Sequence, residues 1–499
     1  MIKMTQSPLY FDVLIVGAGI SGIGAACHLR RRCPSLSFAI LEMRSDLGGT
    51  WDLFRYPGIR SDSDMYTLGY SFRPWPEPKA IAEGKDIKRY IRDTAREVGV
   101  EQHIRYRHKV LAANWHSEKC LWQVNVDTGE NMSTIYEARF LFSCSGYYDY
   151  ESGYKPDFTN EAKFSGPVVH TQDWDPALDW RDKRIVVIGS GATAITLVPA
   201  LAKEAKEVVM LQRSPGYVAS TTSKDPWVDP LSKFLPESLV YRILRWKHIS
   251  LSIVLYQLAK AFPEQSATIL INGVREALAG HCDVDQHFRP HYNPWDQRVC
   301  VVPESDFFLA IKEKKASVVT GHIERFTPDG ILLTSGENLE ADIIVVATGL
   351  KLKALGGVTL QVDSRDIPAS DCTSYKGMML SGIPNFFLFM GYSNASWTLK
   401  TDLTARYACR LIKHLDKKGY HYAKPNQPDS TVAEQDIMPL SAGYILRGKH
   451  LLPRQGNKHP WKIYQNYFLD WLSLELSPVI GNELSVGQRP SNSDWKNLE

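Results

Sequence analysis

Two glycine-rich loops carry the residue pattern that binds the pyrophosphate of a dinucleotide. The first is Gly17-x-Gly19-x-x-Gly22, and the second is Gly189-x-Gly191-x-x-Ala194, where Ala replaces the third glycine. Glycines permit a tight turn and a close approach of the backbone to the pyrophosphate, which lies at the positive N-terminus of the following helix. One such loop alone is a weak signal, so the flanking elements must support it.

A predicted strand and a predicted helix flank the first loop. Residues 11–16 are apolar and rich in Val and Ile, which is typical of a buried strand, and residues 23–32 favour a helix. A second strand over residues 37–41 ends at Glu42, about 20 residues after Gly22, where a carboxylate is expected to accept a hydrogen bond from an adenosine ribose. The first loop is therefore predicted to bind a dinucleotide.

The second loop has the same flanks but a different strand end. Residues 183–188 repeat the buried strand, residues 193–205 favour a helix, and the strand over 208–212 ends at Arg213 and Ser214. An Arg at this tip fits a 2′-phosphate, whereas an acidic residue selects the free hydroxyl. We therefore predict FAD at the first loop and NADPH at the second. The alternative for Arg213 is a solvated charge at a strand end.

The two predicted dinucleotide-binding units also end in similar sequences. Residues 139–146 and 342–349 are each a buried strand that closes with a small residue, a hydroxyl residue and Gly. This repetition predicts an α/β fold with two Rossmann-like dinucleotide-binding domains, the second inserted in the first, plus a helical insert. The predicted parts are 1–150 (FAD domain, first part), 151–224 (linker and NADP domain, first part), 225–296 (helical insert), 297–345 (NADP domain, second part) and 346–499 (FAD domain, second part, and tail).

The helical insert has two interpretations. Residues 236–262 are predicted to form a helix with aromatic and basic side chains. Such a helix can lie on a membrane surface, or it can belong to a subdomain packed over the active site. We favour the packed subdomain, so peripheral membrane contact is not favoured. The segment is too short and too charged to span a bilayer.

Bulk composition excludes several classes of protein. The 499 residues suggest roughly three domain-sized units, and 44% hydrophobic with 23% charged residues is ordinary for a soluble enzyme. A net charge of +3 without a basic tract gives no case for nucleic acid. The 8 cysteines include no Cys-x-x-Cys, so we predict no metal site and no redox dithiol. The N-terminal apolar run lacks a cleavage-type ending, and a cytoplasmic location is expected.

Two further stretches resemble the fingerprints of type I Baeyer–Villiger flavin monooxygenases. Residues 164–175 match Phe-x-Gly-x-x-x-His-x-x-x-Trp-Asp, and residues 49–62 match Gly-x-Trp-x-x-x-x-Tyr-Pro-Gly-x-x-x-Asp. Taken without the family, the first is a packed interdomain linker and the second a turn. Residues 62–66, 291–303 and 391–400 narrow the resemblance to the branch of ethionamide-activating and long-chain alkane monooxygenases. It covers nearly the whole chain, least in the helical insert and the tail.

The resemblance implies an activity and a catalytic pair. It implies an NADPH-consuming flavin monooxygenase that inserts one oxygen atom of O₂ beside a ketone carbonyl to give an ester or lactone. Oxidation of sulfides or thioamides is the implied side activity. The catalytic Arg of the family falls on Arg298, with Asp62 beside it. Many relatives have a Lys before this Arg, whereas Gln297 stands here, which leaves more of the 2′-phosphate contact to Arg213.

The resemblance also adds cofactor residues to those of the loops. The 49–62 stretch is implied to wrap the flavin, and Val110 to touch the adenine end of FAD, although an ordinary core valine is equally compatible. The complete set of predicted cofactor-binding residues is Gly17, Gly19, Ser21, Gly22, Glu42, Gly49, Thr50, Trp51, Asp52, Leu53, Arg60, Ser61, Asp62, Val110, Gly189, Ser190, Gly191, Ala192, Thr193, Ala194, Ile195, Arg213 and Ser214.

The chemistry requires a fixed cation. A guanidinium keeps its charge when desolvated, and a fixed cation stabilises negative charge that develops during the reaction. Arg298 is predicted to supply it and Asp62 to orient it. Without the family, Arg298 competes with Arg289 and Arg325. Asp64 is expected to be the N-cap of the next helix.

The 164–175 fingerprint contains three further residues with a predicted role. His170, Trp174 and Asp175 are predicted to act at the hinge between the domains rather than in proton transfer. The expected partners are a small ketone or sulfide and O₂. The alternatives are oxidation of long-chain alkanes or ketones at a subterminal carbon, an N- or S-hydroxylating flavin monooxygenase, an NADPH oxidase or reductase, and a non-enzymatic flavin-binding module.

Overall fold

The structure is a computed structural model that describes residues 8–129 and 133–489. Its strands are β1 (Leu9–Val16), β2 (Phe38–Glu42), β3 (Ile104–Tyr106), β4 (Lys109–His116), β5 (Leu121–Asp127), β6 (Ser133–Ser143), β7 (Val168–His170), β8 (Arg184–Ile188), β9 (Glu207–Gln212), β10 (Val218–Thr221), β11 (Cys300–Pro303), β12 (Ala316–Thr320), β13 (Ile323–Thr327), β14 (Gly330–Leu333), β15 (Asn338–Glu340), β16 (Ile343–Val346), β17 (Thr359–Val362), β18 (Arg365–Asp366), β19 (Ser374–Tyr375), β20 (Met379–Leu380), β21 (Phe386–Leu388), β22 (Tyr422–Pro425), β23 (Glu434–Asp436), β24 (Arg454–Gly456) and β25 (Leu484–Gly487).

The helices of the described residues connect these strands and add the helical insert. They are α1 (Ile20–Arg32), α2 (Thr50–Leu53), α3 (Met65–Leu68), α4 (Gly84–Val98), α5 (Ala192–Leu201), α6 (Val228–Ser232), α7 (Glu237–Ala261), α8 (Pro263–Leu278), α9 (Val284–His287), α10 (Asp306–Lys312), α11 (Trp397–Lys418), α12 (Gly443–Gly448) and α13 (Tyr467–Trp471).

The first large sheet has nine strands in the order β18-β17-β4-β5-β6-β1-β2-β3, with β21 also paired to β6. Strands β3, β2, β1, β6 and β21 run parallel, which is the core of a dinucleotide-binding sheet. Strands β4, β5 and β6 form an antiparallel meander. The first part of β6 pairs with β5 and its last residues pair with β21, so one long strand joins both parts.

The second large sheet has five parallel strands in the order β12-β9-β8-β16-β7. Its central strand β8 is buried and leads directly into the second glycine loop. At the carboxyl edge, Val346 of β16 lies beside Ile188 on one side and His170 on the other. Open parallel sheets bind ligands at this edge, where the strand order reverses.

The chain enters and leaves the second sheet through two adjacent segments, residues 144–167 and 347–358. They run side by side, because Asp149 N donates to Lys351 O at 2.9 Å and Tyr154 N donates to Gly349 O at 3.0 Å. The second sheet is built wholly from the chain between β6 and β17. The predicted α/β fold with one Rossmann-like unit inserted in another is therefore confirmed. The exact domain boundaries remain predictions.

One predicted helix is shorter than expected. The helix predicted over residues 193–205 is α5, which ends at Leu201. There Glu204 N and Ala205 N both donate to the Leu201 carbonyl at 3.1 and 2.9 Å, so the helical hydrogen-bond pattern gives way to a turn. Local patterning could not detect this, because the next residues are still good helix formers.

The helical insert packs on the body of the protein through half of its longest helix. In α7, Arg245 donates from Nη1 to the carbonyls of Tyr66 at 2.6 Å and Gly69 at 2.8 Å. The second half of α7 exposes the large apolar side chains Leu251, Val254, Leu255 and Leu258, and Phe262 directly after the helix is also exposed. Among the residues that the structure describes, none of the helices has the length and hydropathy needed to span a bilayer.

Candidate active site

The first glycine loop is a tight turn between β1 and α1. Gly17 has φ +101°, and a Cβ on Gly22 would lie 1.9 Å from the Gly17 carbonyl oxygen, so both positions require glycine. Helix α1 begins at Ile20, and its N-cap Gly19 supplies no side-chain hydrogen bond. The first backbone N–H groups of α1 are therefore left for a ligand, which suits a phosphate group.

Glu42 closes the other side of this first site. Only 4% of Glu42 is exposed, and its carboxylate accepts hydrogen bonds from Ala18 N at 2.7 Å and Arg44 N at 2.9 Å. Burial raises the pKa of Glu42, although these two hydrogen bonds oppose the shift. A small cavity of about 70 Å³ lies here, lined by Gly17, Glu42 and Val110 among others. This position fits the adenosine end of a dinucleotide.

The second glycine loop makes the same connection between β8 and α5. Gly189 has φ +146°, and a Cβ there would lie 2.3 Å from the Ala347 carbonyl oxygen. A Cβ on Gly191 would have no atom within 4 Å, so this part of the loop faces open space. Arg213 follows β9 and is exposed, and Ser190 Oγ donates to the Ser214 carbonyl at 3.0 Å.

A cavity of about 950 Å³ joins the two loops. The predicted site residues that line it are Gly19, Ser21, Gly49, Thr50, Trp51, Arg60, Ser61, Asp62, Gly189, Ser190, Gly191, Ala192, Thr193, Ile195, Arg213, Ser214 and Arg298. Gly17, Glu42 and Val110 line the smaller cavity instead. The predicted residues that line neither cavity are Gly22, Asp52, Leu53 and Ala194.

Asp52 forms part of the wall behind the first site. Its carboxylate is buried and contacts Arg44 Nη2 at 2.6 Å and Lys88 Nζ at 2.5 Å. Burial alone would raise the pKa of Asp52, but the hydrogen bonds from Lys88 and Arg44 outweigh it, and the pKa is lowered. The side chain therefore holds the loop 48–53 against α4 as a charged group.

Arg298 and Asp62 meet inside the large cavity. Arg298 Nη1 lies 3.4 Å from Asp62 Oδ2, and their side chains are 32% and 33% exposed. Arg298 Nε is buried and has no hydrogen-bond partner among the described residues. Burial penalises the guanidinium charge, but Tyr147 and Asp62 favour it more, so the pKa of Arg298 is raised. The site therefore holds a permanent cation whose donors are only partly used.

The neighbours of Asp62 have separate structural roles. Arg60 forms a two-point ion pair with Asp306 of α10, with Nη2 at 3.1 Å from Oδ1. Asp64 is the N-cap of α3, as expected, and accepts a hydrogen bond from Thr67 N at 2.9 Å. The loop is thus fixed on both sides of Asp62.

The two rival arginines lie at the surface. Arg289 pairs with Asp285 four residues earlier, and both side chains are exposed. Arg325 pairs with Glu324, its neighbour in sequence. Neither arginine lines the large cavity.

Tyrosines beside Arg298 were not predicted as site residues. Tyr147 and Tyr148 follow the end of β6, and their hydroxyls lie 2.8 Å apart. The Tyr147 ring stacks on Trp397 with centroids 5.3 Å apart, and Trp397 Nε1 donates to Ser21 Oγ at 2.8 Å. Burial raises the pKa of both tyrosines, so their hydroxyls stay protonated. Their place at the carboxyl end of a parallel strand was a usable signal.

The fingerprint His170 packs against the paired crossing segments. A Cβ on Gly153 would lie 1.8 Å from His170 Cε1, so the ring lies directly on the backbone of the first crossing. His170 Nδ1 accepts a hydrogen bond from Gln172 N at 3.1 Å. Trp174 is buried against Trp180, and Asp175 accepts a hydrogen bond from Ala177 N. These contacts support the proposed hinge position, which remains a prediction.

His248 connects the helical insert to the loop that carries Asp62. Its Nε2 lies 2.6 Å from Asp225 Oδ2, and its Nδ1 lies 3.3 Å from Asp64 Oδ2. Burial would lower the pKa of His248, but Asp64 and Asp225 outweigh it, and the pKa is raised. This part of α7 is therefore held by charge as well as by packing.

Comparison with known proteins decides the family. The sequence model of the flavin-binding monooxygenase-like family matches residues 11–262. The FAD-containing monooxygenase EthA of Mycobacterium tuberculosis is 47% identical over 483 residues, which cover 97% of this chain and 99% of that protein. The chain belongs to the flavin-binding monooxygenase-like family. The expectation of a flavin monooxygenase is thus confirmed.

The relatives also agree with the branch of the family that the sequence resemblance indicated. The probable FAD-binding monooxygenase AlmA of an Acinetobacter species is 46% identical over 461 residues, which cover 92% of this chain and 93% of that protein. Among solved structures, a steroid monooxygenase bound to NADP aligns with TM-score 0.74 at 21% identity, covering 96% of this chain and 100% of that chain. A closed cyclohexanone monooxygenase aligns with TM-score 0.68 at 18% identity, covering 84% and 87%. At these identities the structural likeness establishes the fold.

Proposed function

We propose that this chain is an NADPH-dependent Baeyer–Villiger monooxygenase that binds FAD at the first glycine loop and NADPH at the second. Its substrate is a small ketone, which it converts to an ester or lactone with one oxygen atom from O₂, and sulfides are oxidised as a side activity. The relatives named as FAD-containing monooxygenases and the fold of an NADP-bound steroid monooxygenase support this choice of cofactors.

The residues present fit both cofactors. At the first loop, the uncapped N-terminus of α1 suits a pyrophosphate, and the free lone pairs of Glu42 suit a ribose hydroxyl. At the second, Gly191 leaves open space in front of α5, and Arg213 carries the charge that a 2′-phosphate needs. One cavity connects the two loops, so a flavin and a nicotinamide can approach each other within it.

The chain itself supplies charge stabilisation and orientation. When bound, NADPH provides the hydride that reduces the flavin, and the reduced flavin activates O₂. Arg298 lies in the connecting cavity and stabilises negative charge on the reacting oxygen and on the ketone oxygen. Asp62 accepts from Arg298 Nη1 and orients its plane, which leaves Arg298 Nε and the remaining Nη hydrogens for the ligand.

The tyrosines add neutral donors to the same region. Because burial keeps Tyr147 and Tyr148 protonated, each can donate a hydrogen bond without carrying a competing negative charge. Their rings and that of Trp397 line the same cavity as Arg298, and they narrow its contact with solvent to a 32% exposed side chain. A cation surrounded by low-dielectric side chains acts more strongly on developing charge than the same cation in water.

The single observation that carries the proposal is the placement of Arg298. It is a charged side chain beside Asp62, inside the cavity that joins both loops, with a buried donor that no described residue accepts from.

The test is product analysis with a ketone and an aryl methyl sulfide in parallel. Arg298→Ala should lower ester formation by about a hundred- to a thousand-fold, the typical loss for one preorganised charge-stabilising group. It should keep its flavin, because the first glycine loop and Glu42 are unchanged. Arg289→Ala is the matched control, since it removes an exposed arginine from the same part of the chain.

Two further readouts discriminate the rival functions. Asp62→Ala should reduce ester formation less than Arg298→Ala, because Asp62 acts through the arginine. If Arg298→Ala makes ester at the parent rate, the catalytic assignment is wrong. If the parent consumes NADPH and O₂, releases hydrogen peroxide and oxygenates neither substrate, the protein is an oxidase and the proposed reaction is wrong.

A further inference from the structure

A second arginine, Arg447, lines the same large cavity as Arg213. Arg447 belongs to α12, in the part of the chain that follows the return to the first sheet, whereas Arg213 follows β9 of the second sheet. Both line the same cavity. Partial burial lowers the pKa of Arg447, and the positive charge of Arg213 acts in the same direction. Two cations from different parts of the fold therefore converge on one space.

Arg447 is held in place by an aromatic ring. Its guanidinium lies over the ring of Tyr154, 3.5 Å from the centroid. Tyr154 is fixed in turn, since its N donates to Gly349 O at 3.0 Å and its carbonyl accepts from Thr348 Oγ1 at 2.6 Å. A guanidinium stacked on a fixed ring presents its N–H edge in a defined direction. The exposed guanidinium of Arg447 is therefore held in a preorganised orientation.

The described residues provide no anion between these two arginines. Within residues 8–129 and 133–489, neither Arg213 nor Arg447 forms an ion pair or donates a hydrogen bond, and the contact of Arg447 is the Tyr154 ring. Like charges held together are unfavourable, and a doubly charged anion between them reverses the sign of the interaction. Planar guanidiniums match phosphate oxygens in geometry.

We propose that Arg447 and Arg213 together bind the 2′-phosphate of NADPH, so that a residue of the FAD-binding part selects the nicotinamide cofactor bound by the other domain. The inference rests on the proposed function, which places NADPH at the second loop. It favours the 2′-phosphate over the pyrophosphate, because Arg213 is at the strand tip next to the adenosine ribose and the pyrophosphate belongs at the N-terminus of α5.

The test measures binding, not turnover. Flavin-loaded protein is titrated by calorimetry with NADP⁺, NAD⁺, 2′,5′-ADP and 5′-AMP, which separate the 2′-phosphate from the rest of the dinucleotide. Arg447→Gln should weaken NADP⁺ and 2′,5′-ADP on the order of tenfold, as expected for one charged hydrogen-bonding partner of a phosphate, and leave NAD⁺ and 5′-AMP within about twofold. Arg447→Lys should lie between the parent and Arg447→Gln.

Controls keep the outcomes distinct. Arg242→Gln removes an exposed arginine of α7 that lines neither cavity, and it should bind all four ligands like the parent. Unchanged NADP⁺ binding in Arg447→Gln overturns the inference, and so does an equal loss for NADP⁺ and NAD⁺, which indicates a pyrophosphate contact. If the parent itself does not prefer NADP⁺ to NAD⁺, the proposed cofactor is wrong, and the inference falls with it.

Discussion

The two glycine loops make the same turn and differ in what surrounds them. In the first, a Cβ on Gly22 would lie 1.9 Å from the Gly17 carbonyl oxygen, whereas the chain already carries Ala194 at the matching position of the second. A Cβ added to Gly19 would lie 3.6 Å from the Gly49 Cα, whereas a Cβ added to Gly191 would have no atom within 4 Å. One loop is enclosed by the protein, and the other faces open space.

The residues at the ends of the second strands, Glu42 after the first loop and Arg213 after the second, also differ in burial. Glu42 is buried and satisfied by two backbone N–H groups, while Arg213 is exposed and forms no ion pair among the described residues. An enclosed site suits a group that stays bound, and an open one suits a cosubstrate that enters and leaves. The contrast supports FAD at the first site and exchanging NADPH at the second. It also shows that one sequence pattern can serve two kinds of site.

The largest expected effect comes from removing the glycine that only the first loop requires. Gly22→Ala should abolish flavin retention, because its methyl group and the Gly17 carbonyl cannot both occupy their positions. Ala194→Gly is the matched change in the second loop, and it should keep the flavin with a loss of about 1 kcal/mol in stability from helix propensity. The ratio of flavin to protein absorbance in purified samples measures both. Normal flavin content in Gly22→Ala would contradict the enclosed turn.

The second-largest effect is expected from the ion pairs of Asp52 with Arg44 and Lys88 behind the first site. Asp52→Asn removes the carboxylate that Arg44 and Lys88 share, so Arg44 loses its ion pair and Lys88 keeps only Asp46. We expect the free energy of unfolding to fall by on the order of 2 kcal/mol, below the value for a fully buried pair because both cations are partly exposed. Asp285→Asn removes a surface carboxylate that pairs with Arg275 and Arg289, and it should leave stability nearly unchanged. Denaturant unfolding measures both variants. An equal loss of unfolding free energy in the two would show that Asp52 stabilises the fold no more than a surface carboxylate does.

Arg213 tests whether the second glycine loop binds NADPH. Arg213→Ala should raise KM for NADPH by about tenfold and leave KM for NADH nearly unchanged, because only NADPH carries the 2′-phosphate. The first site should be unaffected, so flavin content is the internal control. Steady-state kinetics with both nucleotides decides the outcome. An unchanged preference for NADPH over NADH would remove the assignment of NADPH to this loop.

The local parts of this architecture could be predicted because they depend on neighbouring residues. The strand, glycine turn and helix units follow from hydrophobic patterning and glycine spacing, and Glu42 and Arg213 follow from their positions at strand tips. Arg298 and Asp62 were singled out through the fingerprints, and the structure brings them to 3.4 Å across more than two hundred residues of chain. Their separation in sequence gave no physical reason to pair them.

The rest of the site depends on contacts between distant segments. Trp397 lies far along the chain from Ser21, and Arg447 lies far from Tyr154, yet each pair is in contact. No local pattern marks such residues, since helix α12 has only six residues and no distinctive spacing. Tyr147 and Tyr148 are different, because they directly follow a strand of the parallel core and could have been found there.

The smallest effect concerns α7, the helix whose His248 contacts Asp64, two residues after Asp62. His248 of α7 faces the carboxylates of Asp64 and Asp225, and Lys247 also contacts Asp225 at 2.6 Å. The Tyr66 ring lies 5.2 Å from the imidazole. The pKa of His248 is raised, so the folded state binds this proton more tightly than the unfolded state does.

The pH dependence follows from that sign. The contribution of His248 to stability is fully present below its ordinary pKa of 6.5 and is lost as the pH rises through the raised folded pKa. His248→Asn should therefore lower Tm by on the order of 2 °C near pH 6 and by less near pH 9. His281→Asn, an exposed histidine of the same insert, should show no such trend. A difference that is constant or grows with pH would mean that packing of α7, and not the charge of His248, holds the insert on the first site.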